Sequence, residues 1–277
     1  MTDATSDPSK TDALGGLPAA NTTLLANAPL EVAIIEVRFT PTHASFSATD
    51  ATTIRDDLDR ITGMDFPNIQ PAQQKTLQVD LSVQGAAVTE GQADGWQIAS
   101  ATGTSVITLL PESVMLQTTG YERWRTSIRE PLEILLAAVQ RVAEPSLVQR
   151  IGLRYVDRFQ DDTCRSVADW AGKIDSELLG PVRNRVFGSR IRTAQQQLEI
   201  AIDNHHGAIL RHGPIQDPSK PSIDYLLDID VFRHFAKPFD AAEVVDAAER
   251  LNRTTLSLFQ ACVEDSYLHS LQDGGDA

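Results

Sequence analysis

Cysteine is scarce in this chain, with Cys164 and Cys262 the two among 277 residues. They lie far apart and neither has a C-x-x-C neighbour, which argues against a disulfide framework or a structural zinc site. Both are expected to be ordinary half-buried thiols, since free cysteine behaves as a small hydrophobe. Long apolar runs are missing too, and nowhere do the roughly 18 residues of a membrane-spanning helix follow one another. The opening M-T-D-A-T-S-D-P-S-K has no basic stretch and no apolar one, so no export signal is read there and a cytoplasmic location is expected. Positive charge is in deficit: 24 Lys and Arg stand against 38 Asp and Glu, for a net charge of -14. DNA and anionic lipid repel such a chain unless a local basic patch overrides the balance. Also absent are G-x-x-x-x-G-K-[ST], G-x-S-x-G, H-E-x-x-H and G-x-G-x-x-G, the short patterns that cradle phosphates, expose a nucleophile or hold zinc. No cofactor is therefore expected, although a Ser-His-Asp arrangement assembled by the fold stays open.

What is present is enough apolar material, 42% of residues, to fill one large core or two ordinary ones. Residues 1–22 lack apolar periodicity and are expected to be a flexible tail, as are 272–277. The rest reads as two α+β halves, 23–146 and 147–271, with the same order in each: strand, short helix, antiparallel strands, long helix. In the first half, Ile35, Val37 and Phe39 alternate with Glu36 and Arg38 as in a strand with one buried face. Asp50 is placed to cap a helix carrying Ile54, Leu58 and Ile61, which Gly63 stops. Strands are predicted over 77–83, 96–101, 105–110 and 113–118, the last three joined by breaks short enough for hairpins. A helix over 121–143 contains Pro131, which predicts a kink or two pieces.

The second half opens with a strand over 150–159 and a short helix burying Val167, Trp170, Ile174 and Leu178. Strands follow over 190–202, 207–211 and 223–235. The last helix has Asp240 as cap, Glu243 three residues on, and Phe239 placed to staple onto Val244. Such a tandem, pseudo-symmetric repeat resembles helix-grip and TATA-binding-protein-like orders, and fold analogy alone assigns no function. If the halves pack about a pseudo-twofold axis, the opening strands lie side by side, with Glu36 or Arg38 facing Arg154 or Asp157. Two unrelated α+β domains are the alternative.

The segments N-A-P-L-E-V-A-I-I-E-V-R-F (27–39), T-T-G-Y-E-R-W (118–124), R-I-G-L-R-Y-V-D-R-F (150–159) and L-D-I-D (227–230) resemble a sporadically distributed, functionally uncharacterised bacterial family of about this length. The resemblance covers most of the ordered chain, and 27–39 and 150–159 carry its most specific parts. That family usually has an acidic and aromatic version of the opening strand, where this chain has Val32 and Ile35. It implies one shared fold across both halves and transfers no catalytic residue.

Four constellations can carry chemistry. On the strand around 223–235, Asp224, Asp228, Asp230 and His234 share one parity and Ile223, Tyr225, Leu227, Ile229 and Val231 the other. Asp228 and Asp230 can ligate Mg²⁺ or Mn²⁺ if further ligands come from elsewhere, or they meet Arg154, Arg190 or Arg192 in a solvent-facing ladder. Second, Arg183, Arg185, Arg190 and Arg192 occur with Phe187 and without an acid, a pattern suited to phosphate, a single strand or an acidic partner. Third, Tyr121, Trp124 and Ile128 share a helix side away from Arg125 and Arg129, as core aromatics or as a partner-binding hot spot. Fourth, His205, His206 and His212 read more simply as a turn and a strand than as metal ligands.

The leading expectation is a non-enzymatic binding or regulatory module, with Tyr121, Trp124, Arg154, Arg190 and Arg192 as binding residues. A protein partner fits best. Nucleic acid is disfavoured by net charge, no membrane is expected, and a homo-oligomer stays open. The alternatives are a metal-dependent enzyme on a phosphorylated or nucleotide substrate, using Asp228 and Asp230, and a small-molecule carrier.

Overall fold

The computed structural model describes residues 13–42, 45–63, 65–82 and 85–273. The chain is α+β, and its described residues form an antiparallel sheet of nine strands with four α-helices. In chain order these are β1 (Leu30–Thr40), α1 (Ala48–Thr62), β2 (Asn68–Ser82), β3 (Gly85–Ala99), β4 (Ser105–Leu110), β5 (Ser113–Thr118), α2 (Glu130–Ala143), β6 (Leu147–Phe159), β7 (Gln196–Ala201), β8 (His206–Gln216), β9 (Ile223–Pro238), α3 (Ala241–Cys262) and α4 (Asp265–Asp273). The strand order is β2-β3-β4-β5-β1-β6-β9-β8-β7. Read outward from β1 and β6, each sequence half runs opening strand, last strand, then backwards to its second strand. No helix among the described residues is long and apolar enough to cross a membrane.

Contacts divide the chain into two compact units that do not coincide with the sequence halves. The first takes the chain up to Ala33, Gly152–His234 and Asp246 onward; the second takes Ile34–Ile151 and Phe235–Val245.

In the second unit, Ile35, Val37 and Phe39 of β1 are buried, as their alternation predicts. Removing such side chains from water supplies most of the driving force for sheet-on-helix packing. Helix α1 contributes Ile54 and Leu58 to that core, but Ile61 is 58% exposed, beside a groove between α1 and α2. Its N-cap is Ser47 rather than Asp50: the Ser47 hydroxyl accepts from the Asp50 amide, and Asp50, three residues in, takes the Ser47 amide in return. That reciprocal box satisfies two amides which a lone Asp50 cap would leave open. Gly63 ends the helix at φ 67°, the left-handed conformation glycine adopts without a Cβ clash.

Strands β4 and β5 have the predicted bounds, whereas β2 and β3 start earlier and pair continuously from Asn68–Ala99 to Ser82–Gly85. Val83 of the predicted strand lies outside the described residues. The helix expected over 121–143 is two pieces: a π-turn over Arg125–Arg129, then α2 with Pro131 in its first turn, where a missing amide loses no bond. Phe39 meets Phe239 edge-on with ring centres 5.9 Å apart. Across β1 and β6, the Ser146 amide donates to Thr40, so Glu36 falls opposite Arg150 and accepts from it at 3.2 Å. The pairing expected with Arg154 or Asp157 is therefore displaced: Glu36 also holds Arg38 at 3.0 Å, while in the first unit Arg154 pairs with Asp228 and Asp157 is buried.

In the first unit, Leu153, Tyr155 and Phe159 of β6 and Tyr225, Leu227, Ile229 and Val231 of β9 are buried. The Tyr155 hydroxyl donates to Asn252 of α3 at 2.8 Å, and Phe159 stacks on Phe259, fixing α3 against this face. The short α-helix expected around Val167, Trp170, Ile174 and Leu178 is instead a single 3-10 turn, Val167–Trp170. A box between Ser166 and Asp169 starts it, and Gly172 at φ 83° follows it. The apolar spacing still serves burial, since Val167, Trp170 and Ile174 are all in the core. Residues 13–22, expected as part of a flexible tail, make a turn at Leu14–Gly16 and reach α3: Leu14 donates to Thr254, and Asn21 exchanges two hydrogen bonds with Gln260.

Candidate functional site

Two features of the first unit gather the charged residues singled out by sequence. The first is the face of β6, β9 and β8 opposite α3. Alternation along β9 puts Asp224 and Asp228 there, and antiparallel register puts Arg211 of β8 directly opposite Asp228. Arg154 of β6 then grips Asp228 with a two-pronged fork, Nε and Nη2 each 2.7 Å from a different carboxylate oxygen, while Arg211 reaches the same group at 3.4 Å. Asp224 is treated alike: Arg158 donates to one oxygen at 2.7 Å and Lys220 lies 2.7 Å from the other as a close ion pair.

The result is an unusual pair of carboxylates. They sit on the outer face of a sheet yet are 5% and 0% exposed at the side chain, because cations cover them. The hydrogen bonds to Asp228 and Asp224 hold the Arg154 and Arg158 guanidinium groups still further into the charged form. Arg154 therefore meets Asp228, as the ladder reading expects, and Arg211 and Arg158 take the places given to Arg190 and Arg192. Among the described residues no group of three or more His, Cys, Asp and Glu could hold a metal ion. Both Asp228 oxygens are forked by arginine, so its charge is already met within the chain.

The opposite face of the same strands holds Asp157, 4% exposed and turned toward the apolar side of β6. One of its oxygens has no hydrogen-bond partner among the described residues, and burial, aided by the Asp228 charge, pushes the carboxyl up to about 8. His212, fully buried, shares a 2.8 Å hydrogen bond with the Tyr225 hydroxyl, and burial lowers its basicity. His205 and His206 form the β7–β8 turn with Asp203, which accepts from both of their amides.

The second feature is the loop of residues 180–192 that leads toward β7. The strand predicted to begin at Arg190 begins instead at Gln196, and Arg190 lies in a 3-10 turn, Gly188–Arg190. Three devices hold the loop's shape. A first 3-10 turn, Gly180–Arg183, buries Val182. The Asn184 side chain accepts from the amides of Val186 at 2.8 Å and Phe187 at 3.2 Å, the Asx turn that asparagine favours. Gly188 lies so close to the Val182 carbonyl that a Cβ there would overlap it.

On this frame Val186 is 81% exposed and Phe187 49%, and Arg183, Arg185, Arg190 and Arg192 are all exposed. None of the four arginines has an ion-pair partner among the described residues, and residues 178–198 contain no carboxylate. Sequence reading found the arginines and Phe187; it missed Val186 and the Asn184 cap, for which N-R-V-F-G was the available turn signal.

Tyr121 and Trp124 belong to the second unit. Both are half-buried at the entry to the π-turn and both are engaged by neighbours, while Ile128 is fully buried. The groove between α1 and α2 in that unit has a volume of about 640 Å³ and is lined by Ile61, Ile134, Ala137 and the Asp57–Arg141 ion pair. Comparison with models of known protein families gives no match, and comparison with curated protein sequences gives none either.

Proposed function

We propose that this chain is a non-enzymatic binding or regulatory module that recognises a macromolecular partner, a protein in the first instance. The observation that carries the reading is the ordered loop of residues 180–192. In a chain with 38 acidic residues, four guanidinium groups on one short segment have no ion-pair partner among the described residues. Arg154, Arg158 and Arg211 on the sheet face, by contrast, are matched to Asp224 and Asp228. An internal partner for any of the four would be readily available in so acidic a protein, so their exposure is an argument for an external one.

The strand order supports the companion reading that the two sequence halves descend from one duplicated unit, since in both the opening strand neighbours the last. The resemblance to a sporadically distributed bacterial family would suit an accessory system, such as phage defence or toxin control.

Affinity purification of the full chain from cells that naturally express it tests the proposal. A near-stoichiometric partner is expected, lost when Arg183, Arg185, Arg190 and Arg192 are all changed to Ser. Reproducible substrate turnover abolished by one polar substitution would overturn it. Calorimetric titration with Mn²⁺ addresses the metal-enzyme alternative: no binding heat is expected, and heat that vanishes in Asp228→Asn with Asp230→Asn would revive that alternative.

A further inference from the structure

We infer that the loop of residues 180–192 docks an acidic protein segment carrying an apolar side chain, with Val186 and Phe187 as the inserted tip and the surrounding arginines as carboxylate clamps. This rests on the binding-module reading and names its partner class. Three observations carry it, all within the first unit.

The first is rigidity. Large apolar side chains at a loop tip are usually folded back or mobile. Here the Asn184 side chain fixes the amides of Val186 and Phe187, the Gly188 amide donates to Asn184 at 2.8 Å, and the Arg190 amide donates to Phe187 at 2.9 Å. A tip already held in one shape loses less freedom on binding, which favours affinity.

The second is composition. All four cations are arginine, whose planar fork matches a carboxylate at two points and which is enriched at the energetic centres of protein interfaces. The more exposed apolar side chain is the aliphatic Val186, which has no π-face on which a base can stack. A valine–phenylalanine pair fits an apolar pocket in a protein surface better than a nucleotide.

The third is charge. Without the four loop arginines the formal balance of -14 becomes -14 - 4 = -18. A phosphate polymer extending beyond the loop meets that field all along its length, whereas a short acidic segment contacts only the basic island, within about one 8 Å screening length.

The test is selection of a random peptide library on the immobilised full chain, with counter-selection on the variant in which all four loop arginines are Ser. Enriched peptides are expected to combine surplus Asp and Glu with at least one large apolar residue. Binding of the best peptide to the full chain should weaken about tenfold or more in Val186→Ser with Phe187→Ser, and by at least as much in the arginine variant. Added salt should weaken the wild type steeply and the arginine variant little. Thermal melts unchanged by these exposed substitutions separate lost binding from lost folding. No enrichment over the variant, enrichment of peptides without acidic surplus, or tighter binding of an oligothymidylate of equal charge would overturn the assignment. Loop-dependent co-purification of nucleic acid would overturn this partner class alone and leave the binding module standing.

Discussion

Asp157 places a carboxyl where a hydrophobic side chain would be ordinary. Its neighbours along β6, Tyr155 and Phe159, are buried beside α3, and one Asp157 oxygen has no hydrogen-bond partner among the described residues. Burial, with the Asp228 charge as a smaller cause, pushes its pKa up to about 8 in the folded chain. Since the folded value lies above the unfolded one, the residue's contribution to stability is intact below the usual carboxylate range and is lost progressively as pH rises to about 8. The loss runs at up to about 1.4 kcal/mol per pH unit, and above the folded value it is complete. Asp157→Asn removes this dependence while leaving other titrations in place. Urea unfolding at pH 5, 6.5 and 8 should therefore show the variant gaining on the wild type by at most ~4 kcal/mol across the series. A difference that does not change with pH would mean that Asp157 is not held protonated. Asp228 is a different case, because its charge is met by Arg154 and Arg211, whose side chains are 43% and 36% exposed. Solvent screening of those partners reduces what such a pair contributes.

At the scale of the element, the loop of residues 180–192 depends on a close backbone approach at one glycine. A Cβ at Gly188 would overlap the Val182 carbonyl, whereas one at Gly180 would meet no atom within 4 Å. Gly188→Ala should lower stability by roughly 1–3 kcal/mol through that overlap and weaken partner binding by displacing Val186 and Phe187. Gly180→Ala should change neither appreciably, and equal thermal midpoints for the two variants would show that the loop is not held in this way.

Other elements show which signals a sequence carries by itself. β4 and β5 were legible to the residue because alternation and short turns act locally. The full length of β2 and β3 was not, because stretches such as Gly91–Gly95 pair with Ala72–Thr76 without any strand pattern of their own. The spacing of Val167, Trp170 and Ile174 foretold burial correctly and helix wrongly: a 3-10 turn and the bends after it bury the same side chains. The parity of β9 located both carboxylates on one face, yet their burial depends on Arg154, Arg158 and Arg211 from flanking strands, which a single-strand pattern does not contain.

For the whole molecule, a balance of -14 stands beside four loop arginines that have no ion-pair partner among the described residues. On the proposed reading, overall negative charge disfavours polyanions and the basic, apolar-tipped loop takes an acidic protein segment. The strand order gives both sequence halves the same outward progression from β1 and β6, and it leaves β7, which follows the loop, at one end of the sheet. Hydrogen exchange of the full chain, alone and saturated with the best peptide from the library selection, tests the binding role most directly. Slowed exchange centred on amides 183–192 is the expected result. Protection confined to the groove between α1 and α2, or to the sheet face carrying Arg154 and Asp228, with the loop unchanged, would contradict it.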